Sequence, residues 1–118
     1  MLKIKIPYTP PNWNTYINAE RTSKYKANQI KQNEKQLMMY LCKGKKYEGK
    51  YPVELIFKPH YKNCKQDLDN FRYKGLLDGL VASGMLKNDN LKHIQKITIE
   101  PVFDDAECVE IEIRELGK

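Results

Sequence analysis

Hydrophobic alternation marks both ends of the chain. Leu2, Ile4 and Ile6 alternate with Lys3 and Lys5, the period of a strand with one buried face, and Pro7 stops it. Residues 9–24 hold Pro10, Pro11, three asparagines, Trp13, Tyr16 and Arg21, a composition that predicts a long loop. Residues 25–43 carry no helix breaker. Ile30, Leu37, Met38 and Leu41 recur there at helical spacing among Lys, Gln and Glu, so the segment reads as a helix with a basic outer face. Gly44 and Gly49 bracket a turn, and Val53 to Phe57 reads as a strand closed by Pro59. Tyr73, Leu76, Leu77, Leu80 and Val81 then fit the buried face of a second helix. Leu68 and Phe71 are out of phase with that face by one residue, which predicts a π-bulge between Arg72 and Lys74. Gly84 suits a helix C-cap, and Asn88-Asp89-Asn90 a turn. Ile94, Ile97 and Ile99 lead into Val102 and Phe103, while Val109, Ile111 and Ile113 alternate with glutamates, a hairpin turning at Asp104-Asp105.

The order strand, helix, strand, helix, hairpin gives an α+β fold: a small mixed sheet of about four strands with two main helices. At 118 residues the chain is one domain, 1–118, with a genuine core but no room for a second. No apolar run approaches the roughly 20 residues of a membrane span, and no signal-peptide stretch follows Met1, so a cytoplasmic protein is expected. Cys42, Cys64 and Cys108 lack the paired spacing of a zinc site or a disulfide framework and should be reduced.

The net charge of +6 is unevenly spread. Residues 1–99 hold 19 basic and eight acidic side chains, against two and seven in residues 100–118. A basic excess of that size concentrates polyanions, nucleic acid being the commonest, although a merely soluble lysine-rich surface would look the same. Against this background Asp67, Asp69, Asp78 and Asp89 are the only aspartates before residue 100. Clustered carboxylates repel one another and stay ionised most easily around a cation, and Mg²⁺ or Mn²⁺ prefers such oxygen ligands. Taken singly, each acid also has an ordinary reading: Asp69 as a helix cap, Asp67 as a solvated side chain, Asp89 as part of a turn, and Lys74 with Asp78 as an exposed i, i+4 pair. His60 and His93 read as structural or surface residues, with His93 near enough to Asp89 in sequence to support it.

Asp67-Leu68-Asp69-Asn70, followed by Lys74-Gly75-Leu76-Leu77-Asp78-Gly79-Leu80, Gly84 and Asp89, resembles the RusA family of Holliday junction resolvases. The likeness extends upstream to Ile6-Pro7-Tyr8-Thr9-Pro10-Pro11-Asn12 with Asn14 and Tyr16, and downstream to the terminal strands. Two features depart from the family pattern: one extra residue before Lys74, the excess that the helical phase also shows, and Asn88 where an aspartate is common. The resemblance implies a homodimeric, Mg²⁺-dependent endodeoxyribonuclease, with Mn²⁺ as a substitute, that nicks four-way DNA junctions symmetrically in recombination and repair. It assigns Asp67, Asp69 and Asp89 to the metal and Lys74 to the scissile phosphate. Candidate DNA contacts are Asn14, Tyr16, Arg21, Lys24, Lys65 and Arg72; Trp13, Tyr16, Arg21, Lys24 and Lys26 mix aromatic and basic groups as in a DNA-contacting arm, with a loop holding one aromatic anchor in the core as the alternative. The competing function is a non-catalytic DNA-binding protein that keeps the fold.

Overall fold

The computed structural model describes residues 2–116. Strands β1 (Leu2–Ile6), β2 (Val53–Tyr61), β3 (Ile94–Ile99), β4 (Val102–Phe103) and β5 (Val109–Glu115) form one mixed sheet, and α1 (Trp13–Thr22), α2 (Lys24–Leu41) and α3 (Lys74–Ala82) complete an α+β domain. The strand order is β1-β5-β2-β3, with β4 continuing along β2 beyond β3. β5 runs antiparallel to both of its neighbours, whereas β3 and β4 run parallel to β2.

Strand period explains the two faces. Ile4, Ile6, Val53, Leu55, Phe57, Val109, Ile111 and Ile113 fall on one side of the pleat and are buried together with Met38, Cys42, Leu76 and Leu80 from α2 and α3. Each large side chain buried this way contributes about 1.5–3 kcal/mol. The two helices approach closely, since a Cβ on Gly79 would collide with the Met38 side chain. Gly84, at φ +85°, ends α3 in the left-handed conformation expected of it.

Four sequence expectations change. The segment 9–24 is helical over Trp13–Thr22, capped by Asn12, whose side chain accepts from the Thr15 amide at 2.9 Å. Its signal is faint because α1 buries only Tyr16. β2 continues past Pro59 to Tyr61. The His60 amide donates to the carbonyl of Cys108, the residue just before β5, so the missing N–H of Pro59 faces the other side, in the gap between the last β3 pair at Phe57 and the first β4 pair at His60. No continuous helix runs through Arg72: a 3₁₀ turn, Leu68–Asn70, gives way to an extended Phe71 before α3 starts. That break, not a π-bulge, absorbs the extra residue and lets Phe71 and Arg72 turn inward, 4% and 2% exposed. Finally, β3 and β5 form no hairpin. They flank β2, and Asp104 anchors the crossing by donating its amide to the Tyr61 carbonyl at 3.0 Å. Alternation identifies a strand but not its partner.

The other face of the sheet is polar. Lys58 pairs with Glu112 at 2.6 Å, and Glu54 accepts from Thr98 at 2.6 Å with Lys96 beside it. His60 lies between Asp104, 2.9 Å from Nδ1, and Glu110, 2.8 Å from Nε2. Ionised carboxylates only accept, so both ring nitrogens donate and the ring is an imidazolium. Desolvation opposes this charge, but the hydrogen bonds to Asp104 and Glu110 outweigh it and raise the His60 pKa, while Asp104 is held low chiefly by His60. A raised histidine pKa stabilises the fold fully below its unfolded value of about 6.5 and loses that effect as pH rises through the folded value. Urea unfolding across pH 5.5–9 is expected to show wild type exceeding His60→Gln most at the acid end, with the gap narrowing upward. A gap that widens with pH would contradict the charged bridge.

Candidate functional site

The acidic segment is positioned from two sides. The backbone amide of Asn70 closes the 3₁₀ turn on the Asp67 carbonyl at 3.0 Å. Asn70 in turn accepts the amide of Asn14 at the start of α1, and Asn12 reaches Gln66 at 3.4 Å. The N-terminal segment therefore braces the strand-to-helix connection. Asp67 and Asp69 line one open hollow of about 780 Å³ with Gln66, Leu68, Ile97 and Ile99.

Asp67 is exposed, as a solvated side chain would be, whereas Asp69 lacks the capping role open to it in the sequence. The 3₁₀ turn and α3 both begin without a side-chain cap, so Asp69 caps no helix. In the turn after α3, Asn88 accepts the Asp89 amide and Asn90 accepts the Lys92 amide and meets His93, which leaves the Asp89 carboxylate outside the turn's bonding.

The turn that carries Asp89 packs back on the domain. After Gly84 the chain reverses: Met85 and Leu86 are buried, the Leu86 amide bonds the Leu80 carbonyl, and the Lys87 amide meets the Tyr51 hydroxyl. Lys74, the first residue of α3, lies 3.0 Å from Asp78. Its pKa is raised by the Asp78 hydrogen bond first, against some desolvation, and Asp89 adds to the rise. The Asp89 charge is thus within electrostatic reach of the Lys74 ammonium. Among the described residues no three His, Cys, Asp or Glu side chains close on one point. The donor set nevertheless fits a hard cation such as Mg²⁺, which takes one or two carboxylates and completes its shell with water and phosphate oxygens.

The site rests on a buried network that sequence reasoning missed. The Arg72 guanidinium pairs with Glu34 of α2, donates to the Pro11 carbonyl at 3.1 Å, and stacks on the Tyr16 ring 4.5 Å away. Tyr8 donates to the same Glu34 oxygen at 2.9 Å, and burial followed by the Glu34 charge pushes its phenol pKa up. The other carboxylate oxygen of Glu34 fills the space where a Gly75 Cβ would stand, so position 75 at the start of α3 admits only glycine without rearrangement. A signal for Glu34 existed: it sits between Ile30 and Met38 on the apolar stripe of α2, one helical turn from each.

The candidate DNA contacts divide accordingly. Asn14, Arg21, Lys24 and Lys65 are exposed. Tyr16 and Arg72 are 5% and 2% exposed and engaged inside the domain, a correction to their expected place on the DNA surface. Buried charge without a partner is too costly, and Arg72 finds its partner in Glu34.

The family model for endodeoxyribonuclease RusA matches residues 7–114. The chain belongs to the RusA family. The match takes in the bracing N-terminal segment, the acidic turn, α3 and all but the last residue of β5. Membership makes the chain an endodeoxyribonuclease by class, a phosphodiester hydrolase acting on DNA. No curated protein matches the sequence as a relative.

Proposed function

We propose that this RusA-family chain is a divalent-metal-dependent nuclease that resolves four-way DNA junctions in recombination and repair by paired nicks, acting as a homodimer whose two-fold axis matches the symmetry of the substrate. The observation that carries this reading is the pair Asp67 and Asp69, exposed in one open hollow, with the Asp89 charge felt at the Lys74 ammonium. Asp67 and Asp69 would hold the cation and Asp89 would complete the acidic set. The metal, Mg²⁺ with Mn²⁺ as a substitute, supplies an activated water and charge neutralisation at phosphorus. Lys74 stays protonated, since its pKa is raised, and offers its ammonium to a phosphate oxygen once the phosphate competes with Asp78.

That no three ligands converge among the described residues favours a second reading, a DNA-binding protein without catalysis. The experiment that separates them incubates the protein with a synthetic four-way junction and a linear duplex, with Mg²⁺ and with chelator. Resolution of the junction into nicked duplexes in Mg²⁺ alone is expected. Junction binding with no scission in Mg²⁺ or Mn²⁺ would leave only the second reading.

A further inference from the structure

The longest helix has an unusual balance of charge. α2 carries Lys24, Lys26, Lys31 and Lys35 and a single acid, Glu34, which is 1% exposed and bound to Arg72 and Tyr8. All four lysines are exposed, and none joins an ion pair among the described residues. Lys58 of β2 and Lys96 of β3 differ, for both meet carboxylates. Lys24, Asn28, Lys31 and Lys35 recur at i, i+4, i+7 and i+11, one stripe about 16 Å long at the helical rise, which matches about five nucleotide steps of a DNA strand.

The stripe begins in a groove of about 540 Å³ between α1 and α2, lined by Tyr16, Glu20, Lys24, Tyr25, Asn28 and Lys31. Tyr25 is 76% exposed there, an aromatic face for a base, and Glu20 is the one acid opposing the two lysines. Lys31 lies 5.8 Å from the centre of the Tyr16 ring, which also meets Trp13 and Arg72.

We infer that this groove and the α2 stripe bind one strand of the DNA substrate, with Lys24, Lys31 and Lys35 on phosphates spread along that strand and Tyr25 stacking on a base. The assignment rests on the nuclease reading above and names where its substrate lies. Charge complementarity selects the occupant: an unopposed cationic stripe with one aromatic platform suits a nucleic-acid backbone.

The test measures binding to a synthetic four-way junction in chelator over a series of KCl concentrations. The proteins compared are wild type, Lys24→Gln/Lys31→Gln/Lys35→Gln, the charge-matched Lys62→Gln/Lys92→Gln/Lys96→Gln, and Tyr25→Ala, each checked for folding by circular dichroism. The groove triple variant should flatten the slope of log K against log salt by about 2–3, close to 0.9 per lost phosphate contact. The charge-matched variant should keep the wild-type slope, and Tyr25→Ala should bind about tenfold more weakly at an unchanged slope. Wild-type affinity and slope in the groove variant, or equal losses in both triple variants, would overturn the assignment while leaving the nuclease reading intact. A wild-type protein that binds no junction at any salt overturns both.

Discussion

Glu34→Ala is expected to destabilise the domain by about 3–5 kcal/mol, the cost of leaving one member of a buried ion pair without the other. The Glu34 side chain is fully buried and Arg72 is 2% exposed, so solvent cannot replace the lost partner. Three further contacts depend on the pair: the Tyr8 hydroxyl loses its acceptor, the Arg72 hydrogen bond to Pro11 loses its anchor, and the space above Gly75 empties. These contacts join the N-terminal segment, α1, α2 and the start of α3, so the loss should appear in global unfolding and not as local fraying. Urea and thermal denaturation provide the check, with a fall in Tm of at least about 10 °C expected for a domain of this size. Glu34→Gln should lose less, because its amide oxygen still accepts from Arg72. The double variant Glu34→Met/Arg72→Met should recover part of the loss, since an apolar pair leaves no unpaired charge. A loss below about 1 kcal/mol in Glu34→Ala would mean that Arg72 finds water or another acceptor.

The sequence makes the strands and their inner face legible because a half-buried strand writes its burial into period two, as Leu2 to Ile6 and Val109 to Ile113 do. The same period is silent on pairing, which is why β3 and β5 read as a hairpin although β2 lies between them. α1 is hidden for a different reason. Its cap, Asn12, and its single buried residue, Tyr16, are ordinary loop residues when read without the contacts that hold the helix, Asn70 on the Asn14 amide and Arg72 on the Tyr16 ring. The phase error at Leu68 and Phe71 is a true signal with more than one physical source, a bulge or a break, and only the inward turn of Arg72 decides between them. At the site, the three aspartates stand out because a basic chain offers few reasons to place acids together. Their support does not, since Glu34 and Arg72 look like surface charges until the fold buries both.

Asp69→Asn is expected to reduce junction cleavage by at least about 10²–10³-fold, the loss typical when one group that stabilises transition-state charge is removed. The substitution keeps size and shape, and the Asp69 carboxylate caps no helix, so stability should stay within about 0.5 kcal/mol. Removing one negative charge from a hollow that must admit a phosphate should leave junction affinity unchanged or raise it, most visibly at low salt. Asp78→Asn is the informative contrast. It frees Lys74 from its 3.0 Å partner without touching Asp67, Asp69 or Asp89, and should shift substrate affinity more than turnover. The measurement is single-turnover cleavage of a labelled four-way junction in Mg²⁺, paired with binding in chelator. Wild-type rates in Asp69→Asn would remove the acidic turn from the chemistry, because the carboxylate pair is the only part of the hollow able to hold a cation. If Asp89→Asn alone kept full activity, Asp67 and Asp69 would suffice, as expected of a cation whose remaining positions are filled by water and substrate.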